Sequence, residues 1–247
     1  MYPKVEILGL HLPTYGIMGI FALMVLVVLG LLALHNAKLP LFDGMVLGAY
    51  GLLGAYFGAK LLFILQHNIE LSFNTEADWL YFFSNGGSAY GGILLGLFFS
   101  RVGAYIHKIE YEPYIEKTIY LLPLCHGIWK IGCHCAGCCY GIPYEGPGSI
   151  FVINEFYTDG VSLFPIQIVE AIVLFVITFV LFRSRQRSIW MYMDLYGICR
   201  FVIEFLRNKE LKTYIGIFSD IQYLCIIMFF AFTIITFVRR HSNEEAV

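Results

Sequence analysis

Residues 126–141 read HGIWKIGCHCAGCCYG, and they close an apolar segment. The stretch joins Lys130, His126 and His134 to the cysteines at 133, 135, 138 and 139, with Gly127, Gly132, Gly137 and Gly141 between them. Its reading depends on where it sits. The whole chain is 247 residues, 59% hydrophobic and 14% charged, with a mean hydropathy of +0.72. Those values lie outside the balance of soluble globular domains and describe a polytopic membrane protein. The cysteine-rich stretch is therefore expected to end a membrane-crossing helix and to enter a loop beside it.

A helix needs roughly 20 apolar residues to cross a bilayer core. Working outward, seven segments qualify as candidate spans, at about 14–35, 43–66, 88–107, 115–131, 165–183, 189–206 and 217–238. The expected fold is an all-α membrane protein of about seven transmembrane helices forming one domain over residues 1–247. The start lacks the basic segment, short apolar core and small-residue cleavage site of a signal peptide, so the first span is expected to be retained. Basic loops stay cytoplasmic. With the N-terminus outside, inner segments hold Lys38, Arg101, Lys108, Arg183, Arg185, Arg187, Arg239 and Arg240, against Lys4, Arg207, Lys209 and Lys212 outside. That bias predicts an N-out, C-in arrangement. The net charge of −2 and the lack of a basic stripe give no basis for nucleic-acid binding.

Along the spans, the informative residues are polar or small. Tyr15 opens the first span as an interfacial anchor or a site residue. Gly51, Ala55 and Ala59 recur every fourth position as a packing face, with Lys60 beside them either snorkelling or functional. An outer loop over 67–87, rich in aromatics, leads to two glycine pairs around Ser88–Tyr90 that let backbone approach a ligand or a neighbouring helix. After the focal stretch, residues 141–164 form an extramembrane outer loop whose alternating residues predict a small hairpin. Gln167 and Glu170 are three apart on one helical face, and Tyr196, Arg200 and Glu204 follow i, i+4 steps with Arg207 nearby. Arg200 and Glu204 form either an internal ion pair or, through the Arg fork, a phospholipid headgroup site.

The cysteines admit several chemistries. Cys133, Cys135, Cys138 and Cys139, with His126 and His134, are candidate ligands for zinc, copper or an iron–sulfur cluster. Their spacing fits no standard finger, and adjacent or one-apart cysteines tend to diverge, so no metal or other cofactor is expected. A disulfide, small packing residues, or a thiolate stabilised by Lys130 or a histidine are the other readings.

The order of these pieces resembles the bacterial prolipoprotein diacylglyceryl transferase family. The resemblance runs through Tyr15-Gly16, Gly58-Ala59-Lys60, Tyr90-Gly91-Gly92, the focal glycines, Pro165 with Gln167 and Glu170, Tyr196-Gly197 with Arg200, Glu204 and Arg207, and Ser219 with Gln222. It implies transfer of the diacylglyceryl group of phosphatidylglycerol to a lipobox cysteine thiol, with release of glycerol phosphate. It implies further that Lys130 stands in for a phosphate-facing arginine, that Arg200 is a second essential cation and that Glu204 orients it. Departures are also visible. Family members show H-G-G where this chain has Tyr90-Gly91-Gly92, and R-x-G-N-x-x-N-G-E where it has Lys130 to Cys138, so Cys133, Ala136 and Cys138 replace two asparagines and a glutamate. These changes imply a specialised, cysteine-rich branch.

The expected activity is transfer of a glyceryl or phosphoglyceryl group from an anionic phospholipid to a lipoprotein precursor or other acceptor, in the bacterial cytoplasmic (inner) membrane. Lys130, Cys133, Cys138, Arg200 and Glu204 are the expected catalytic residues. Tyr15, Lys60, Tyr90, Gly91, Gly92, Gly137, Gly141, Gln167, Glu170, Tyr196 and Arg207 are expected to line the substrate site. A thiol-redox or metal-binding protein on the same fold, and a noncatalytic phospholipid-binding subunit, are the alternatives.

Overall fold

The computed structural model describes residues 4–7, 10–67, 86–153, 158–184, 189–208, 214–230 and 233. The aromatic loop expected over 67–87 lies outside them except at its ends, as do the inner arginine patch from residue 185 and most of the last span beyond 230. The described chain is mostly helical. A hairpin of β1 (Lys4–Ile7) and β2 (Leu10–Pro13) leads into α1 (Thr14–Asn36), followed by α2 (Leu41–His67) and α3 (Ala89–His107). A short α4 (Tyr111–Thr118) precedes α5 (Leu121–Ala136), then β3 (Ile150–Val152), β4 (Val161–Leu163), α6 (Ile166–Arg183) and α7 (Ile189–Glu204). The last elements are β5 (Tyr214–Ile215), β6 (Phe218–Ser219) and α8 (Asp220–Phe230).

Among the described residues, four helices are long and apolar enough to cross a membrane, at Thr14–Asn36, Leu41–Leu65, Ala89–His107 and Ile166–Arg183. On α6 the usual amphipathic order is inverted: Ile172, Val176 and Phe179 are exposed, whereas Gln167 and Glu170 are buried with Leu174, Ile177 and Leu181. Polar groups inside and apolar groups outside suit a lipid solvent. The span expected at 115–131 is instead divided between α4 and α5, with a turn at residues 119–120. Pro123, which has no N–H to donate, is accommodated in the first turn of a new helix rather than within a continuous one. The expected hairpin is present, with Ile150 opposite Leu163 and Val152 opposite Val161.

The chain forms two compact units, one of residues Met1–Ala33 and Ile115–Val247, the other of Leu34–Tyr114. Within the second unit, α2 and α3 pack along their small residues. A Cβ placed on Gly58 would fall on the Gly91 carbonyl oxygen, and one on Gly91 would fall on that of Gly58. That backbone approach requires glycine on both helices. Leu34, Leu47, Ala104 and Tyr114 form a buried cluster, and the Tyr114 hydroxyl donates to Asp43 Oδ2 at 3.2 Å. Two helix ends here close on lysines in the left-handed region, Lys38 at φ 56° and Lys108 at φ 55°. A cation suits the negative end of a helix, and Pro40 cannot extend α1.

Within the first unit, α5 packs on α6 and α6 on α7. The N-terminal part of α1 lies against α5, where Tyr15 meets Trp129 edge-on with ring centroids 5.4 Å apart.

Candidate functional site

Three helices of the first unit bring four charged side chains together. The first two turns of α6 present Gln167 and Glu170, 0% and 3% exposed, on the face turned to α5 and α7. From α5, Lys130 Nζ lies 2.9 Å from Glu170 Oε2. From α7, Arg200 Nε lies 3.9 Å from Glu170 Oε1, while its Nη2 is 2.7 Å from Glu204 Oε2 one turn further on. Two cations and two carboxylates balance, as burial demands, because an unpaired buried charge would cost several kcal/mol.

Neutral groups fix the carboxylates. The Tyr196 hydroxyl donates to Glu170 Oε1 at 2.7 Å. Its ring meets His126 edge-on at 5.1 Å and stacks on Tyr192 at 6.0 Å. The Ser219 hydroxyl donates to Glu204 Oε1 at 3.4 Å, and the Ser219 N–H donates to Gln222 Oε1 at 2.9 Å. Ser219, which ends β6, thus supports Glu204 from behind and is itself held by Gln222 in the first turn of α8.

The cysteine stretch is tied directly to this network. Helix α5 ends in Gly137 at φ 75°, whose N–H donates to the His134 carbonyl, while the Cys138 N–H donates to that of Cys133. This pair of bonds is a Schellman closure, which needs a left-handed residue and so selects glycine. It folds Cys138 back over Cys133, where its sulfur donates to the Cys133 carbonyl at 3.6 Å. Cys139 is also left-handed, at φ 59°. Adjacent residues of an extended chain would point apart, but here the sulfurs of Cys133, Cys138 and Cys139 lie within 4.8 Å of one another. The expected divergence thus fails for Cys138 and Cys139. Cys135, two residues along the helix from Cys133, is outside the group, as are His126 and His134.

Gln167 Nε2 donates to the Cys138 carbonyl at 2.6 Å, fixing the cysteine turn to α6 one helical turn before Glu170. Beyond the turn, the Gly141 N–H donates to the Phe164 carbonyl, Gly141 bridges to Arg207, and Asn208 Nδ2 donates to the Gly141 carbonyl. The Cys133 and Cys138 thiols, with the charges of Arg207 and Lys130, hold Cys139 well below the ordinary thiol range against the effect of its burial.

The first unit therefore gathers Lys130, Glu170, Tyr196, Arg200 and Glu204 into one network, with Gln167, Cys133, Cys138 and Cys139 adjoining it. Tyr15 is half exposed at the start of α1. Lys60, Tyr90, Gly91 and Gly92 belong to the second unit, where Lys60 and Tyr90 are buried and Gly91 packs on Gly58. Two residues were not legible as site residues. Tyr192 is fully buried on the Tyr196 ring, and its hydroxyl finds no hydrogen-bond partner among the described residues. Asn208, buried behind Gly141, carried only the signal of a polar residue following an ionic helix face.

The Prolipoprotein diacylglyceryl transferase family profile matches residues 4–238. The chain belongs to this family. It is 30% identical over 232 residues to the phosphatidylglycerol–prolipoprotein diacylglyceryl transferase of Clostridium tetani, covering 90% of both chains. It is 30% identical over 234 residues to phosphatidylglycerol–prolipoprotein diacylglyceryl transferase 2 of Clostridium perfringens, covering 90% of this chain and 88% of that one. A Campylobacter jejuni relative of the same description is 27% identical over 226 residues. In this member of the family, Lys130, Arg200 and Glu204 form one buried ionic network through Glu170. The resemblance legible in the sequence had not placed Glu170 between the two cations.

Proposed function

We propose that this chain transfers the diacylglyceryl group of phosphatidylglycerol to the cysteine thiol of a lipoprotein precursor, as a multi-pass protein of the bacterial cytoplasmic membrane. One observation carries the reading: Lys130 and Arg200 converge on a single carboxylate inside an apolar bundle. A phosphate entering beside Glu170 meets two fixed cations in a water-poor site, where they stabilise charge growing on the leaving group. Glu204 holds the Arg200 fork in place, Tyr196 holds Glu170, and Tyr15 faces the headgroup from α1. Cys133 and Cys138 belong to the acceptor side of the site. The chain crosses the membrane seven times with its N-terminus outside and residues 141–164 in the outer loop, in line with the distribution of lysine and arginine.

The test is a reconstitution. The full chain in phosphatidylglycerol vesicles, supplied with a lipobox peptide, should add one diacylglyceryl group per peptide by mass spectrometry and release glycerol phosphate. Vesicles of phosphatidylethanolamine alone should give none, and Arg200→Ala should abolish transfer. Folded protein that binds phosphatidylglycerol but leaves the peptide unmodified would support the noncatalytic lipid-binding alternative instead.

A further inference from the structure

Three thiols within 4.8 Å of one another form the only group of three or more metal-ligating side chains so gathered among the described residues. Nothing in the ionic network of Lys130, Glu170, Arg200 and Glu204 requires them. Their convergence depends on the Schellman closure at Gly137, on a left-handed Cys139, and on the bond from Gln167 to the Cys138 carbonyl. Simple packing would need none of these, since a small apolar residue fills such positions equally well.

We propose that Cys133, Cys138 and Cys139 hold one zinc ion through three sulfurs, leaving a fourth position open to the acceptor thiol. The geometry suits the ion. Zinc takes thiolate sulfur at about 2.3 Å in a tetrahedron, which places sulfurs about 3.8 Å apart. The three sulfurs need to close by about 1 Å at most to reach that spacing, and two of them sit on a turn rather than inside a helix. Three protein ligands with one open place is the arrangement of catalytic rather than structural zinc. Three thiolates and a divalent ion sum to −1.

The identity of the open position's occupant rests on the transfer proposed above; the metal itself does not. An acceptor thiol coordinated there loses its proton to water and is held as a thiolate. Its sulfur attacks the glyceryl carbon bearing the phosphate, so that a C–S bond forms as the C–O bond breaks. Both electrons of the broken bond leave on the oxygen of glycerol phosphate, and no group changes oxidation state. Lys130 and Arg200 receive the phosphate one turn away from the sulfurs, since Cys133 follows Lys130 by three residues on α5 and Gln167 precedes Glu170 by three on α6.

The experiment uses the full chain, purified in detergent under reducing conditions. Metal analysis should give one zinc per chain. After removal of that metal, cobalt(II) added as a probe should restore a 1:1 complex with thiolate-to-cobalt charge-transfer absorption. Cys133→Ser, Cys138→Ser and Cys139→Ser should each weaken binding by more than ~10-fold, whereas Cys135→Ser and Cys199→Ser should keep it. Phosphatidylglycerol binding by each variant serves as the check that it has folded. A lipobox peptide should shift the cobalt spectrum, and the same peptide with serine for cysteine should not. Protein that binds neither zinc nor cobalt, that is isolated with copper(I) and no zinc, or that carries a disulfide among the three cysteines in its active form overturns the proposal. Lipid transfer by metal-free protein overturns the zinc step alone, while stoichiometric zinc without any transfer overturns the transferase reading alone.

Discussion

Lys130 and Arg200 approach opposite oxygens of one carboxylate, with Lys130 Nζ 2.9 Å from Glu170 Oε2 and Arg200 Nε 3.9 Å from Oε1. Glu170 therefore serves two purposes. Together with Glu204 it balances two cations that the bundle interior could not otherwise hold, and it keeps them at a spacing suited to bridging by an anion. Arg200 gives its shorter contact to Glu204. That leaves Glu170 bound more closely by the lysine than by the arginine, so the lysine contact is the one an incoming phosphate would compete for.

Glu170→Gln should destabilise the protein by about 3–5 kcal/mol, because it leaves two buried cations sharing one carboxylate. The double variant Lys130→Met/Glu170→Met should recover much of that loss by removing the pair together, yet remain inactive. Thermal unfolding in detergent, read beside peptide lipidation, separates the two effects. A double variant no more stable than Glu170→Gln would mean that the pair is not the source of the cost.

Arg200→Lys keeps the charge and loses the planar fork that reaches Glu170 and Glu204 at once. Transfer should fall by about 10²–10³-fold, the scale seen when one donor to a developing charge is lost, while the affinity for phosphatidylglycerol changes less. Equal losses in both would assign Arg200 to binding rather than to stabilising the leaving group.

The sequence made the contents of each helix face legible, but not how the faces meet. Arg200 and Glu204 were readable as an ion pair because their i, i+4 spacing is local, and Gln167 with Glu170 shared a face for the same reason. The partnership of Lys130 with Glu170 depends on how α5 packs against α6, which no local spacing encodes. The break between α4 and α5 lies where the charged pair Glu116-Lys117 gives way to an apolar run, and it became evident only with Pro123 seated in a first turn. The cysteines show the limit most clearly. Their spacing was visible, but convergence of Cys138 with Cys139 needs a positive φ at a residue that is not glycine, and nothing in the order of the letters announces it.

Gly137→Ala should cost about 1 kcal/mol, since alanine at φ 75° meets the left-handed penalty that glycine avoids. The larger consequence should be local. With the helix closure strained, Cys138 should leave the Cys133 carbonyl and react faster with a small alkylating reagent. Mass spectrometry of timed labelling reads this directly, and unchanged labelling of Cys138 would mean that the turn is held by something other than the Gly137 closure.

Gln167→Leu tests the connection between the cysteine turn and the ionic network. The amide of Gln167 is fully buried and donates to the Cys138 carbonyl at 2.6 Å, so leucine leaves that carbonyl without its donor at a cost of about 1–3 kcal/mol. Glu170 lies one turn further along the same helix and keeps its contacts with Lys130 and Tyr196. Phosphatidylglycerol binding should therefore survive while transfer to the peptide falls, because the lipid side of the site is intact and the sulfur side is displaced from it. Loss of lipid binding together with transfer would show instead that Gln167 supports the packing of α5 on α6 as a whole.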